Sequence, residues 1–324
     1  MSGAAAGRIV EARPASGTAY TLRANGATAE IAGVGASLRS LAVDGRDLIV
    51  PFAADEARPA FRGALLAPWP NRVVDGRYRY RDRDHQLPIT EVGRGHALHG
   101  LVAWQEFDEV SEPSSRRLAL ATEIAPRDGY PWRVRVETEF ELEGRGIRQT
   151  VRGTNLSADP APWGTGPHPY LVAPRGVLDE WTLELPAARV LEVGEDRLEP
   201  RTLSEVSGAA AARFDFRRAR RIGGTRLDHA FTGLERDDAG DAVVRLTGAD
   251  GRGAEVRWDR ACPWVQVHTA DLPHDPNTRL GLAVEPMTCA PDAFNASRYP
   301  FDTGLRSIEP GETIVVSWWI GAIR

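Results

Sequence analysis

The chain has 324 residues, of which 42% are hydrophobic and 26% are charged, and its formal net charge is −5 at pH 7. These values are ordinary for a globular protein with a hydrophobic core, and the acidic balance gives no support for nucleic-acid binding. All 40 basic residues are arginine. Functions that need a lysine, such as Schiff-base formation or a P-loop, are therefore excluded.

The sequence predicts neither a targeting segment nor a membrane span. Residues 1–17 (MSGAAAGRIVEARPASG) lack the apolar stretch of a secretory signal peptide. No run approaches the roughly 18 apolar residues of a transmembrane helix. Cys262 and Cys289 are far apart and form no CxxC pattern, which favours neither a disulfide framework nor a zinc site. We therefore expect a cytoplasmic protein.

Short alternating runs joined by turn dipeptides predict a succession of β-hairpins along the chain. The predicted turns are at Asn25-Gly26, Asp44-Gly45, Asp75-Gly76, Gly144 to Gly146 and Asp250-Gly251. The hairpin at Gly144 to Gly146 is the longest, because both of its strands alternate strictly. Residues 311–323 (GETIVVSWWIGAI) are predicted to be a buried strand with packed aromatic side chains.

Helical periodicity is nearly absent, and residues 204–216 hold at most a turn or two of helix. Many short strands spaced by roughly 8–12 residues indicate an antiparallel sandwich or barrel. There is no linker-like tract and no fixed-period repeat. The sequence therefore predicts an all-β protein, a large antiparallel β-sandwich forming one domain over residues 1–324.

Polar residues cluster in loops between the predicted strands, where a rigid β scaffold commonly carries a site. The residues of interest are Asn71, Arg72, His96, His99, His168, Asp228, His229 and Glu285. Glu285 lies in the apolar run LAVEPM, and burial of a carboxylate raises its pKa, which suits a general acid or base. The alternative is a glutamate that faces water from an edge strand or pairs with an arginine.

His168 lies in GTGPHPYL, whose prolines exclude a helix and favour a stiff turn or strand end. Its side chain suits either proton transfer or a structural hydrogen bond. His96 and His99 have an HxxH spacing without a recognisable third metal ligand, and a turn hydrogen bond is favoured for His96. Arg72 suits either an oxygen-rich ligand or a surface carboxylate. No GxSxG, P-loop or GxGxxG motif is present.

Five segments in order, PWPNRVVDGRY, HALHGL, GTGPHPYL, LDHAF and AVEPMTCAPDAFN, resemble the aldose 1-epimerase (galactose mutarotase) family. The similarity runs from about residue 60 to about residue 320. The resemblance implies a single-domain β-supersandwich with a sugar cleft. It also implies interconversion of the α and β anomers of a free aldose without a metal or redox cofactor.

Carried over residue by residue, the resemblance makes Glu285 the base and His168 the acid. Arg72, His99 and Asp228 would bind sugar hydroxyls, with Asn71 beside them. The implied partner is a small-molecule sugar, with no nucleic acid or membrane, and the oligomeric state stays open. Trp163 and Tyr170 suit either stacking on the sugar or the core.

This chain departs from the better-known members at two places. Pro167 and Pro169 flank His168, where those members have an asparagine before the histidine and an aromatic-asparagine pair after it. The segment His268 to Ala270 replaces the aromatic and small residues that usually follow an apolar stretch such as WVQV. These departures concern the choice of sugar rather than the reaction class.

Three alternatives remain at this point. One is a non-catalytic sugar-binding or sugar-sensing protein on the same fold. Another is a glycoside hydrolase that uses Asp228 and Glu285, whose carboxylates would lie roughly 5–5.5 Å or 6.5–9.5 Å apart. The last is a phosphosugar epimerase, which needs an arginine cluster at the cleft rim; Arg62, Arg94 and Arg298 are the candidates.

Overall fold

The computed structural model describes residues 13–112, 114–272 and 275–323. The prediction that residues 1–17 contain no signal peptide falls mostly on residues 1–12, which lie outside the described residues.

The described chain consists mainly of short strands. In chain order they are β1 Ala19–Ala24, β2 Ala27–Ala32, β3 Ser37–Val43, β4 Arg46–Asp47, β5 Leu65–Leu66, β6 Arg72–Val73, β7 Arg77–Tyr80, β8 Arg83–Gln86, β9 Ala97–Leu98, β10 Asp108–Glu109, β11 Arg117–Ile124, β12 Val134–Glu143, β13 Gly146–Asn155, β14 Ala161–Trp163, β15 Gly166–Pro167, β16 Tyr170–Leu171, β17 Thr182–Glu184, β18 Ala187–Val193, β19 Pro200–Glu205, β20 Arg220–Arg221, β21 Asp228–Leu234, β22 Ala242–Thr247, β23 Gly253–Trp258, β24 Trp264–His268, β25 Leu282–Met287, β26 Arg306–Ile308 and β27 Thr313–Ala322.

Helical structure is limited to short segments. The one α-helix of the described residues is α1 Ala211–Phe214, and single 3-10 turns lie at Pro59–Phe61, Val74–Gly76, Leu178–Glu180, Gly208–Ala210 and Ala293–Arg298. Helix α1 and the 3-10 turn before it occupy the segment in which the sequence predicted at most a turn or two.

Two large sheets dominate the architecture. The larger has nine strands in the order β10-β11-β12-β13-β27-β23-β22-β17-β20, and the smaller has six in the order β16-β25-β24-β21-β18-β19. Strands β1 to β4 form a third sheet, and the remaining strands form two-stranded pairs. Neighbouring strands within these sheets are antiparallel, which confirms the predicted fold class.

The two large sheets share one hydrophobic core. Phe140 and Trp318 of the nine-stranded sheet and Val267 and Val284 of the six-stranded sheet belong to the same cluster of buried residues. Because side chains alternate between the faces of a strand, the neighbours of Val267 and Val284 must project from the opposite face of the six-stranded sheet. The assignment of residues 1–324 to a single domain stays a prediction.

Most of the predicted hairpins are present. β1 meets β2 at Asn25-Gly26, β3 meets β4 at Asp44-Gly45, β12 meets β13 after Gly144, and β22 meets β23 around Asp250-Gly251. The hairpin predicted at Asp75-Gly76 is wrong. Both of these residues do have a positive φ, but they end a 3-10 turn, and β6 pairs with β9 rather than with β7. β7 instead pairs with β8 across Arg81-Asp82.

The C-terminal strand β27 is buried on one face only. Val316, Trp318 and Ile320 are in the core, as predicted. Trp319 lies on the outer face, partly exposed, where its indole crosses the backbone at Gly321. A Cβ on that glycine would lie 2.0 Å from the ring. The prediction of a buried strand with packed aromatic side chains is therefore correct for the face that carries Trp318 and wrong for the partly exposed face that carries Trp319.

Cys262 and Cys289 are both buried and free. No helix within the described ranges is long and apolar enough to cross a membrane. A cytoplasmic location stays a prediction.

Candidate active site

The six-stranded sheet presents a row of polar side chains on the face that does not contact the core. Gln266 lies between the buried Val265 and Val267 on β24, and Glu285 follows Val284 on β25. Gln266 and Glu285 are direct cross-strand partners. Alternation along adjacent strands therefore brings these groups together, although they are distant in sequence.

Asn71, Arg72 and His99 are brought together by the short β6–β9 pair. The N–H of Asn71 donates to Nδ1 of His99 at 3.2 Å, and the N–H of His99 donates to the carbonyl of Asn71 at 2.8 Å. Both residues have a positive φ. This reciprocal bonding fixes the imidazole of His99 against the strand that carries Arg72.

His168 is held by its own backbone. Its N–H donates to the carbonyl of Ala64 at 3.0 Å, and its carbonyl accepts from the N–H of Gly63 at 2.8 Å. The flanking Pro167 and Pro169 have no N–H and a restricted φ, so they stiffen the segment. The prolines of GTGPHPYL thus present the imidazole of His168 in a fixed direction.

The six residues to which the family resemblance gave a catalytic or binding role line one cleft with a volume of about 670 Å³. They are Asn71, Arg72, His99, His168, Asp228 and Glu285. Five of the six are buried, and the Asp228 side chain is 24% exposed. The structure therefore brings together residues from β6 and the position before it, from β21 and β25, and from the loops after β9 and β15.

At the floor of this cleft, Nε2 of His168 lies 3.4 Å from Oε1 of Glu285. Glu285 is an interior residue, because β25 lies between β16 and β24, so it is not on an edge strand. Oε2 of Glu285 and Nδ1 of His168 are buried and have no hydrogen-bond partner among the described residues. Buried polar atoms without a partner are uncommon in folded proteins and are expected to gain one from a ligand or water.

Burial moves the pKa values of this pair in opposite directions. Desolvation raises the pKa of Glu285 well above its usual value, and the negative charge of Asp228 adds to this. Desolvation lowers the pKa of His168 to about 3, and the charge that His268 carries when it is protonated adds to that shift. Both shifts have the same physical cause, because a low-dielectric environment disfavours either charged form.

Arg72 is fixed by carboxylates on two sides. Its Nε and Nη2 donate to the carboxylate of Glu91 at 2.7 and 3.0 Å, and its Nη2 lies 3.8 Å from Oδ2 of Asp228. Burial lowers the pKa of Arg72, but the charges of Asp228 and Glu91 outweigh it and the net shift is upward. Arg72 is thus a permanent cation at the cleft wall.

Asp228 stays ionised for a related reason. Burial raises the pKa of its carboxyl, but the charges of His268 and Arg72 and a hydrogen bond from Gln266 outweigh this, so the net shift is downward. The amide of Gln266 donates to Oδ1 of Asp228 at 2.6 Å. The cleft therefore holds one ionised carboxylate, Asp228, and one carboxyl whose neutral form is favoured, Glu285.

His99 is a neutral donor. Its Nδ1 accepts the Asn71 N–H, so the proton of the neutral ring is on Nε2. Burial lowers its pKa well below the usual value. Its ring packs edge-on against His168, with centroids 4.9 Å apart, and Phe61 covers both histidines.

Several cleft residues were not predicted from the sequence. Glu91, Gln266 and Phe61 line the cleft but lie in no recognisable motif. Of the two aromatic residues left open, Tyr170 lines the cleft, whereas Trp163 is in the core, where a Cβ at Gly153 would touch its ring. Alternation with apolar neighbours in WVQVH was the one available signal for Gln266.

His96 has the structural role that the sequence favoured. Its Nδ1 accepts from the N–H of Asp75 at 3.1 Å, and its Nε2 lies 2.8 Å from the carbonyl of Arg197. Both ring nitrogens are therefore used by the backbone. His96 and His99 do not share a ligand-binding position, because their Nδ1 atoms accept from different loops.

The arginines proposed for a phosphate group do not form a cluster. Arg94 lines the cleft and pairs with Glu91 at 2.7 Å. Arg62 is buried and donates to Oδ1 of Asn277 at 2.7 Å, and Arg298 lies 4.0 Å from Asp292. The three have separate partners, so they do not form the arginine cluster that the phosphosugar alternative needs.

A second concavity, with a volume of about 830 Å³, lies on the outer face of the nine-stranded sheet. No histidine lines it, and its most buried carboxylate, Glu255, is already paired with Arg245 and Arg257 at 3.2 and 2.8 Å. Unlike the cleft, it offers no buried acid–base pair.

The antiparallel β-sandwich has the fold of the galactose mutarotase-like proteins. The sequence profile of the aldose 1-epimerase family matches residues 18–318. The chain is 34% identical over 282 residues to the uncharacterised protein YihR of Escherichia coli K12, which covers 87% of each protein. The chain therefore belongs to the aldose 1-epimerase family.

Solved structures agree on the fold. The GalM/aldose epimerase homologue from C. elegans has a TM-score of 0.81 at 17% identity, and the match covers 95% of this chain and 99% of that one. The galactose 1-epimerase from Lactobacillus acidophilus NCFM has a TM-score of 0.77 at 20% identity, covering 94% and 93%.

Proposed function

We propose that this protein is an aldose 1-epimerase that interconverts the α and β anomers of a free aldose by opening and closing the sugar ring. Glu285 is the base that removes the proton of the anomeric hydroxyl, and His168 is the acid that protonates the ring oxygen. The observation that carries the proposal is the 3.4 Å contact of these two buried groups on the cleft floor.

Ring opening needs a base and an acid close together, because the anomeric hydroxyl and the ring oxygen are bonded to the same carbon. Removal of the hydroxyl proton forms the C1 carbonyl, the C1–O5 bond breaks, and O5 takes a proton. Rotation about C1–C2 then exposes the other face of the aldehyde. Reclosure reverses the steps with the two residues exchanging roles.

The pair has the right number of protons for this cycle. Burial favours the neutral carboxyl of Glu285 beside a neutral His168. A carboxylate beside an imidazolium contains the same protons in a different arrangement. We infer that sugar hydroxyl groups, by hydrogen bonding to the carboxylate, offset its desolvation and allow the proton to move across the contact to His168.

The rest of the cleft suits sugar hydroxyls. Arg72 and the Nε2–H of His99 are donors, the Asp228 carboxylate is an acceptor, and Asn71 holds His99 in position. Phe61 and Tyr170 add aromatic surface at the same cleft. Mixed donors and acceptors around an aromatic wall suit a ring with several hydroxyl groups.

The first test is polarimetry of freshly dissolved α-D-glucose and α-D-galactose with the wild type, Glu285→Gln and His168→Gln. We expect the wild type to accelerate mutarotation and each variant to lower kcat by about 10²–10⁴-fold. Glu137→Gln and His85→Gln are matched controls outside the cleft and should retain activity.

Other outcomes distinguish the alternatives. Sugar binding without acceleration, measured by ligand-observed NMR, would replace the enzyme with a sugar-binding protein. Release of sugar from nitrophenyl glycosides that is lost in Asp228→Asn would favour a hydrolase. Acceleration that survives Glu285→Gln would mean that the base is another residue.

A further inference from the structure

His268 is a cleft residue to which the proposed mechanism assigns no role. It is the last residue of β24, and its cross-strand partners are Asp228 on β21 and Ala283 on β25. Tyr170 is paired with Ala283 from the other side. These four side chains therefore form one row across the cleft face of the sheet, and the small Ala283 leaves space between His268 and Tyr170.

The hydrogen bond from the His268 ring fixes the tautomer of its neutral form. Nδ1 lies 3.2 Å from the carbonyl oxygen of Leu227, which accepts and cannot donate, so Nδ1 carries the proton. The lone pair of the neutral ring is then on Nε2. No group of the described chain donates a hydrogen bond to Nε2, and the side chain is 20% exposed where it lines the cleft.

Asp228, the cross-strand partner of His268, also has an open acceptor. Its Oδ1 accepts from Gln266 at 2.6 Å and lies 3.9 Å from Nδ1 of His268. Oδ2 of Asp228 lies 3.8 Å from Nη2 of Arg72, which is beyond hydrogen-bond distance. Two unsatisfied acceptors, Oδ2 of Asp228 and Nε2 of His268, thus lie in one part of the cleft.

We propose that His268 is a specificity-determining residue, and that its Nε2 and the Asp228 carboxylate accept hydrogen bonds from two hydroxyl groups at the end of the sugar remote from the anomeric carbon. This inference rests on the proposed function. β21 lies two strand spacings from β25, roughly 10 Å, so a pyranose anchored at Glu285 extends toward this pair. The substrate class is then an aldose with adjacent free hydroxyl groups at that end.

Two variants separate this role from a merely structural one. In His268→Asn the amide nitrogen takes the place of Nδ1 and still donates to Leu227, but the acceptor in the cleft is lost. In His268→Gln the longer side chain places an amide oxygen near the position of Nε2 and restores the acceptor. Both variants remove the imidazole, so any effect of its charge on His168 would change the activity of the two variants equally.

The experiment measures dissociation constants of D-glucose, D-galactose and their monodeoxy analogues by ligand-observed NMR, with KM and kcat from polarimetry. We expect His268→Asn to raise Kd about 3- to 10-fold, as for loss of one hydrogen bond, with kcat little changed. His268→Gln should bind nearly as the wild type does. One deoxy analogue should bind the wild type more weakly than the parent sugar does, because it lacks the hydroxyl group that Nε2 accepts. Its Kd should not rise further in His268→Asn.

The results that would overturn the inference are distinct from those that overturn the proposed function. If the wild type is active and His268→Asn shows unchanged Kd for every analogue, His268 does not contact the sugar and the epimerase proposal stands. If both variants lose kcat equally at unchanged Kd, His268 acts through the charge of the site. Absence of binding of both hexoses to the wild type would overturn the two proposals together.

Discussion

Nε2 of His168 lies 3.4 Å from Oε1 of Glu285, and the two side chains are 6% and 2% exposed. Two titratable groups this buried and this close are coupled, so the protonation state of each residue depends on that of the other. Substitutions at the two positions should therefore not act independently.

We expect the double variant Glu285→Gln/His168→Gln to be about as slow as the slower single variant. Groups that act as one catalytic unit show such non-additive losses, because removing either already disables the unit. The measurement is kcat for mutarotation in the wild type, both singles and the double. A double variant whose loss equals the product of the two single losses would show that the residues act separately.

The activity of the pair should decline on the alkaline side. It needs one proton, which it loses when the pH exceeds the raised pKa of Glu285, and it gains a second only near the pKa of His168, about 3. We expect kcat/KM, measured from about pH 5 to 9 with the buffer-catalysed rate subtracted, to show an alkaline limb. An acid limb near pH 6.5 that is absent in His168→Gln would contradict the lowered pKa of this histidine.

Stability should fall as the pH is lowered from about 6.5. Burial lowers the pKa of His99, of His168 and of His229, the last to about 4, so below 6.5 the unfolded chain binds protons that the folded chain does not. Glu285 acts in the opposite sense. Its pKa is raised in the folded protein, so its contribution to stability is lost as the pH rises. The three histidines dominate the slope.

His229→Asn tests this linkage. In the wild type the N–H of Asp228 donates to Nδ1 of His229 at 3.0 Å. The side-chain oxygen of Asn can accept the same hydrogen bond, but the Asn side chain does not titrate. The free energy of unfolding, measured with urea between pH 6.5 and 4, should depend less steeply on pH in this variant than in the wild type. The slopes should differ by up to one proton, which is about 1.4 kcal/mol per pH unit. An unchanged slope would mean that His229 is protonated in the folded protein.

Glu91 should matter for sugar binding although it need not touch the sugar. Its carboxylate holds Arg72 by two hydrogen bonds and Arg94 by a third at 2.7 Å. Glu91→Ala frees the Arg72 side chain, and we expect KM to rise about 10-fold with a smaller change in kcat. Glu137→Gln, on β12 of the nine-stranded sheet, is the control. A fall in kcat alone would place Glu91 in the chemistry instead.

Gly100→Ala should destabilise the loop that carries His99. Gly100 has φ +75°, and a Cβ there would lie 2.2 Å from the carbonyl oxygen of Ala67. Gly45 has a similar φ of +72° with nothing within 4 Å, so Gly45→Ala isolates the backbone strain. We expect Gly45→Ala to cost about 1 kcal/mol of unfolding free energy and Gly100→Ala at least about 2 kcal/mol more. Equal losses of unfolding free energy in the two variants would mean that the backbone at Ala67 moves away and removes the close contact.

Local pattern was sufficient for much of this fold. The alternation of β12 and β13 and dipeptides such as Asn25-Gly26 predicted hairpins that are present, because period-2 burial and turn conformation depend on residues close in sequence. The same local rule failed at Asp75-Gly76. Its backbone does turn, but the strand before it pairs with β9, and that choice depends on distant residues.

The candidate site divides in the same way. An isolated carboxylate in LAVEPM and a histidine between prolines are unusual as sequence patterns, because burial and rigidity have a local signature, and they were enough to single out Glu285 and His168. That the two are in contact, that Glu91 orients Arg72, and that His268 stands beside Asp228 were decided by the order of strands in the six-stranded sheet and the docking of loops on it. Strand order is set by packing among side chains distant in the chain, so no short window of sequence contains it.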